Sequence, residues 1–238
     1  MSSLYDDKSK IAILQRGVLN NLVSTIGLNG DSSMNQAKLV KRLDQATKRV
    51  LFLGYTQEQT SLVDELVNAN CEVWHTQEKI ETTEGFDFVI SYGYRHILKK
   101  PIIESSKAPI INLHISYLPW NRGAHPNFWS FFDSTPSGVS IHLIDEGVDT
   151  GPILFQRYVN FDKEQVTFSQ TYKKLILEIE SLFKENLRQM IEGDYKPIPQ
   201  RRKGSYNKVA DLPSEFLGWD SNIQDEIRRL DSLIFKRS

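Results

Sequence analysis

Val50-Leu51-Phe52-Leu53 limits the fold more than any other stretch of this chain. It has no polar member, so a strand formed here is apolar on both faces. A sheet with one wet face alternates instead. An unbroken apolar strand belongs to a mostly parallel sheet covered by helices on both sides. Three more runs repeat the theme, at Cys71 to His75, Phe86 to Ser91 and Ile110 to His114. Between the first two, Glu58 to Asn70 carries Leu62, Val63, Leu66 and Val67 at helical spacing. Strands alternating with helices predict an α/β layer structure. The first strand ends in Gly54-Tyr55-Thr56-Gln57 and not in G-x-G-x-x-G, which disfavours a nicotinamide dinucleotide.

Further along, Gly138 to Ile144 alternates and predicts a strand, followed by another over Ile153 to Val159. Thr167-Phe168-Ser169-Gln170 has the form of a capping box. The helix it opens carries Tyr172, Leu175, Ile176, Ile179, Phe183, Leu187 and Met190, with Gly193 suited to its end. These elements define a central domain over residues 49–193. Residues 1–48 form an expected helical appendage of two helices. The first has Ile11, Leu14, Val18, Leu22 and Ile26, and the second runs through Val40 and Leu43. Residues 194–238 form an extension with a basic stretch (Lys196, Arg201, Arg202, Lys203, Lys208) and a closing helix near Ile223 to Phe235. This extension is expected to serve dimerisation or substrate binding.

Composition narrows the function. Formal net charge is −1 over 238 residues, so no broad nucleic-acid-binding surface is implied. The single cysteine, Cys71, excludes an internal disulfide framework and fits a buried structural thiol. Neither a signal-peptide core nor a stretch of the roughly 20 apolar residues that span a bilayer is present, so the cytoplasm is the expected compartment. The five histidines show no metal-ligand spacing such as H-E-x-x-H, and no metal is expected.

The chemistry concentrates at Asn112, His114 and Asp149. Alternation along Ile110 to His114 puts Asn112 and His114 on one face of a strand. A carboxamide and an imidazole aimed at one spot can polarise a carbonyl and move a proton. A carboxylate from a later loop, Asp149, can orient the imidazole and favour its charged form. Taken singly, each has an ordinary structural reading: a strand-end Asn, a core His, a turn Asp.

Taken together, Asn112-x-His114-x-Ser116-x-Leu118-Pro119, Gly123, Pro126, Gly138-Val139-Ser140-Ile141-His142 and Asp149-Thr150-Gly151-Pro152-Ile153 resemble the formyltransferase family. The resemblance runs from about Arg49 to Gly193. It implies a Rossmann-like domain with Asn112, His114 and Asp149 as catalytic triad and 10-formyltetrahydrofolate as formyl donor. It also implies a pterin site between Ser91-Tyr92-Gly93 and the stretch from Ile144 through Asp145 to Val148. Tyr92 fits packing equally well. The acceptor loop from Leu118 to Trp129, the segment Ser91 to Ile97 and the tail Gly204 to Lys208 resemble the bacterial nucleotide-sugar N-formyltransferases. The implied acceptor is a nucleotide-linked amino sugar, first of all dTDP-4-amino-4,6-dideoxyglucose of O-antigen and lipopolysaccharide synthesis. The 3-amino isomer and a uracil base also fit.

Arg95, Arg122, Arg201, Arg202 and Lys208 are the cations on offer for a pyrophosphate, each competing with a plain solvated role. Trp120, Tyr206 and Trp219 offer a π face to a base. Tyr94, Asn121 and Gly123 complete the expected acceptor site, and Trp129 is expected to pack inside. A homodimer is expected, with no nucleic-acid or membrane partner. Only 45 residues follow Gly193, which speaks against the basic C-terminal barrel of the tRNA enzymes. A purine-pathway enzyme and a non-catalytic folate or nucleotide-sugar binder stand as alternatives.

Overall fold

A computed structural model describes residues 37–162 and 166–235. Seven strands form one sheet in the order β1-β3-β2-β4-β5-β7-β8. They are β1 (Lys38–Lys41), β2 (Lys48–Gly54), β3 (Cys71–Thr76), β4 (Phe88–Tyr92), β5 (Ile110–His114), β7 (Gly138–Leu143) and β8 (Ile153–Tyr158). The apolar strands β3, β2, β4 and β5 pair in parallel, while β1, β7 and β8 join antiparallel at the two sides. The small partners β6 (Arg122–Gly123) and β9 (Tyr206–Asn207) pair in parallel outside this sheet.

Both faces are covered, as unbroken apolar strands require. Val50 and Phe52 pack toward Leu62, Val63 and Leu66 of α1 (Leu62–Asn68) and toward Leu175 and Ile179 of the long helix Phe168–Glu192. Leu51, Leu53 and Val89 pack on the other face with Leu98 and Ile102, the latter in α2 (Lys100–Ser105). A third cluster joins Phe128 and Trp129 of α3 (Pro126–Phe132) to Phe168, which opens the long helix α4 (Phe168–Glu192), and to Ile223 and Leu230 of α5 (Ile223–Phe235). The C-terminal helix thus completes a core begun by the central domain. Trp129 is buried as expected, and so is Cys71, whose thiol burial pushes up. Among the described residues no helix is long and apolar enough to cross a membrane.

The capping box is present. The Thr167 side chain accepts from the Gln170 amide, and the Gln170 side chain accepts from the Thr167 amide. Gly193 ends α4 at φ 73°. One expectation is overturned. The stretch through Val40, expected to be the second helix of an appendage, is the edge strand β1, and a turn leads from it into β2 at Lys48. Four residues are too few for a helical period to outweigh the open hydrogen-bonding edge of β3, against which β1 pairs. The expected helix over Ile11 to Ile26 lies outside the described residues.

Candidate active site

The site forms where β4, β5 and β7 lie side by side. Register sets Asn112 opposite Ser91 of β4 and His142 of β7, with His114 opposite Ser140. The loop after β7 then carries Asp149 back over these ends. Asp149 sits in the left-handed region at φ 52°. Gly151 lets the loop press onto β7, since a Cβ there would lie 1.8 Å from the Leu143 carbonyl.

Three of these side chains are one network. The Asn112 amide donates to Asp149 Oδ1 at 3.3 Å and lies 3.2 Å from His142 Nε2. The Gly123 amide donates to Asp149 Oδ2 at 2.8 Å. His142 Nδ1 lies 2.8 Å from the Leu143 carbonyl, and its Nε2 lies between the Asn112 amide and Asp149 Oδ1, the latter at 3.5 Å. His142 is the member that sequence reasoning missed. It stands in the clean alternation of β7, but only the register with β5 reveals that it faces Asn112.

His114 is buried, with Nε2 3.6 Å from Asp149 Oδ2 and 3.3 Å from the Asn121 carbonyl. A carbonyl only accepts, so Nε2 holds the proton and Nδ1 keeps the lone pair. Asp149 favours the charged imidazole, as expected, but it does not prevail. Burial outweighs the carboxylate and holds His114 below the ordinary imidazole range. Burial also pushes the Asp149 carboxyl upward, but His114, His142 and the Gly123 amide together bring it well below the usual range. A neutral base beside a fixed carboxylate is a competent proton acceptor.

Two cavities meet at this network. One, of about 200 Å³, is lined by Ser91, Ile144, Asp145 and Val148 of the expected pterin residues, with His96 and His142 added, whereas Tyr92 and Gly93 of that set line the other. The other, of about 530 Å³, is lined by Tyr92, Gly93, Tyr94, Arg95 and Gly123, together with Tyr55 and Tyr172. Asn112, Val148 and Asp149 border both. Gly93 is at φ 67°, and a Cβ there would meet the Tyr55 ring at 2.5 Å. Its freedom therefore makes room for an aromatic wall. Asp145 organises its own loop, accepting from Thr150 Oγ1 at 2.5 Å and from the Gly147 amide at 3.1 Å.

The expected acceptor residues divide. Asn121 is buried at 1% exposure. Its side chain is engaged with Ser205 and Thr135, so it acts through the loop and not on a ligand. Arg122 is turned to Gln200 at 3.3 Å. Trp120, Arg201, Arg202 and Lys208 line neither cavity, and the last three are exposed. The half-exposed Tyr206 lies over Gly123. A basic tail tells charge but not direction, and here the backbone of the tail is used to build β9.

A third, apolar cleft of about 420 Å³ borders the larger cavity through Ile115, Pro126 and Tyr172. Trp219 and His125 line it with ring centroids 5.4 Å apart, and Lys173 is the cation in its wall.

Comparison with known proteins meets this geometry. Residues 32–184 match the family model described as formyl transferase. The crystal structure of the formyltransferase PseJ from Anoxybacillus kamchatkensis, in complex with UDP-4,6-dideoxy-4-formamido-L-AltNAc and tetrahydrofolate, is 43% identical. It aligns over 74% of this chain and 96% of that one with a TM-score of 0.70. The N-formyltransferase from Helicobacter canadensis, solved with folinic acid and dTDP-3-aminofucose, shares the fold at 19% identity and a TM-score of 0.60, over 75% of this chain and 79% of that one. The methionyl-tRNA formyltransferase of Thermodesulfovibrio yellowstonii is 34% identical over 57% of this chain. This chain spans 44% of that protein's length, and about half the length of the curated relatives it matches. With a family match over most of its length, the chain belongs to the formyl transferase family.

Proposed function

We propose that this protein transfers a formyl group from 10-formyltetrahydrofolate to the amine of a nucleotide-linked amino sugar. The observation that carries the reading is the meeting of two cavities at Asn112 and Asp149. A donor in the smaller cavity and an acceptor in the larger would bring formyl carbon and amine to the same network. The amine nitrogen attacks the formyl carbon, the bond from that carbon to N10 of the folate breaks, and N10 takes up a proton. His114 accepts the proton the amine loses. Asp149 stabilises the imidazolium so formed. Asn112 donates to the oxyanion, exchanging one of its contacts to His142 or Asp149 for the new oxygen. Such a donor is worth about 10²–10³ in turnover.

Similarity to PseJ supports a 4-amino-4,6-dideoxyhexose carried on UDP, ahead of the dTDP-linked sugar that the acceptor loop suggested. The aromatic cleft suits the nucleotide end. Trp219 is 39% exposed, which leaves a face for a base, while Lys173 and Arg95 are cations along the path to the amine. A homodimer serving surface-polysaccharide synthesis in the cytoplasm completes the reading. The test is a panel of UDP- and dTDP-linked 4-amino and 3-amino sugars, with methionyl-tRNA alongside, incubated with 10-formyltetrahydrofolate and read by product mass. A formylated UDP-4-amino sugar is expected. Formylated tRNA with every sugar left untouched would reject the proposal.

A further inference from the structure

The C-terminal segment runs along the main chain of the Asp149 loop. Ile198 and Ile153 exchange backbone hydrogen bonds at 2.8 and 2.9 Å, an isolated antiparallel bridge beside the Asp149 loop. Two residues later Gln200 lies along that loop. Its Nε2 donates to the carbonyls of Asp149 at 2.9 Å and Gly151 at 2.7 Å. Its Oε1 accepts from Arg122 Nε at 3.3 Å. Arg122 belongs to the strand whose next residue, Gly123, donates its amide to Asp149 Oδ2 at 2.8 Å.

We propose that Gln200 is a positioning residue for the Asp149 carboxylate. The inference rests on the catalytic reading above. Gln200 ties the main chain of Asp149 to the acceptor loop that holds its side chain. Both ends of the residue are then referred to one frame. The need is physical, because Asp149 is a non-glycine residue at φ 52°, a conformation that persists only where its surroundings over-determine it. The side-chain type is also constrained. Two donors on a single nitrogen meet two carbonyls on one side, and an acceptor meets a guanidinium on the other. Glutamate has the same shape without the donors, and asparagine is one methylene too short. Gln200 borders neither cavity, so it acts through Asp149 and not on a ligand.

The test compares the full chain with Gln200→Ala, Gln200→Glu and Asp149→Asn. The substrates are 10-formyltetrahydrofolate and a UDP-linked 4-amino-4,6-dideoxyhexose, assayed below the melting transition of every variant. For Gln200→Ala and Gln200→Glu we expect kcat to fall at least tenfold while both KM values stay within about threefold. A packing role would not produce that split. If the alanine variant does not fold, the isosteric glutamate variant decides. A kcat within twofold of wild type for Gln200→Glu, or a raised KM with unchanged kcat, overturns the inference while Asp149→Asn remains inactive. A fully active Asp149→Asn instead overturns the role given to the carboxylate, and this inference with it.

Discussion

Asn112, with its amide held between His142 and Asp149, illustrates how residue chemistry here depends on neighbours. In the proposed reaction His114 and Asp149 divide the work by environment. Burial keeps the imidazole neutral and able to accept a proton, while three neighbours keep the carboxylate ionised. His114→Asn and Asp149→Asn are each expected to lower kcat by at least about 10², with folate binding nearly unchanged. Steady-state kinetics beside a folate titration checks this, and turnover within a few-fold of wild type for both variants would refute it. The pH dependence has a definite sign. A base whose pKa lies below that of ordinary imidazole stays competent into mild acid. The acid limb of kcat/KM is therefore expected below about pH 6.5, the unperturbed histidine value. A pH–rate profile with that limb above pH 7 contradicts the neutral-base assignment.

Among the elements, α5 and the tail before it matter most, because both were expected to lie in an extension outside the central domain. Ile223 and Leu230 of α5 are fully or almost fully buried against Phe128 and Phe168. Leu230→Ala should cost about 2–5 kcal/mol, as truncation of a buried leucine does. Denaturant unfolding measures it, and a loss below about 1 kcal/mol would mean that α5 is only loosely docked. The basic tail has a different outcome from its sequence reading. Arg201 and Arg202 are exposed and border neither cavity, whereas Arg95 borders the larger one. Replacing both tail arginines by Ala is expected to leave the KM for the nucleotide sugar unchanged. Arg95→Ala is expected to raise it several-fold, with the effect shrinking as salt is added. The reverse pattern would move the phosphate site to the tail.

At the scale of the whole molecule, acid stability integrates these sites. A histidine whose folded pKa is lowered contributes nothing above about pH 6.5. Below that, the unfolded chain takes up a proton the folded chain refuses, and stability falls. His114 and His125 both act with this sign. Asp149, lowered on folding, stabilises above about pH 4 and loses that contribution only in stronger acid. Melting temperature is thus expected to decline from about pH 6.5 downward, and His114→Asn to flatten the first part of the decline. A melting series that is level from pH 7 to 5 would refute this. The parallel core was legible because Val50 to Leu53 admits only a doubly covered strand, and α4 because its period, its capping box and Gly193 agree locally. Asn112, His114 and Asp149 were legible because their side-chain chemistry stands in the sequence itself. The edge strand β1, the place of His142 and the contacts of Gln200 and Asn121 were not. Each depends on which strand or loop lies alongside, a long-range pairing whose register leaves no local signature. The charged state of His114 was decided the same way, since burial is a property of the folded molecule, and there it outweighed the carboxylate that the sequence put beside it.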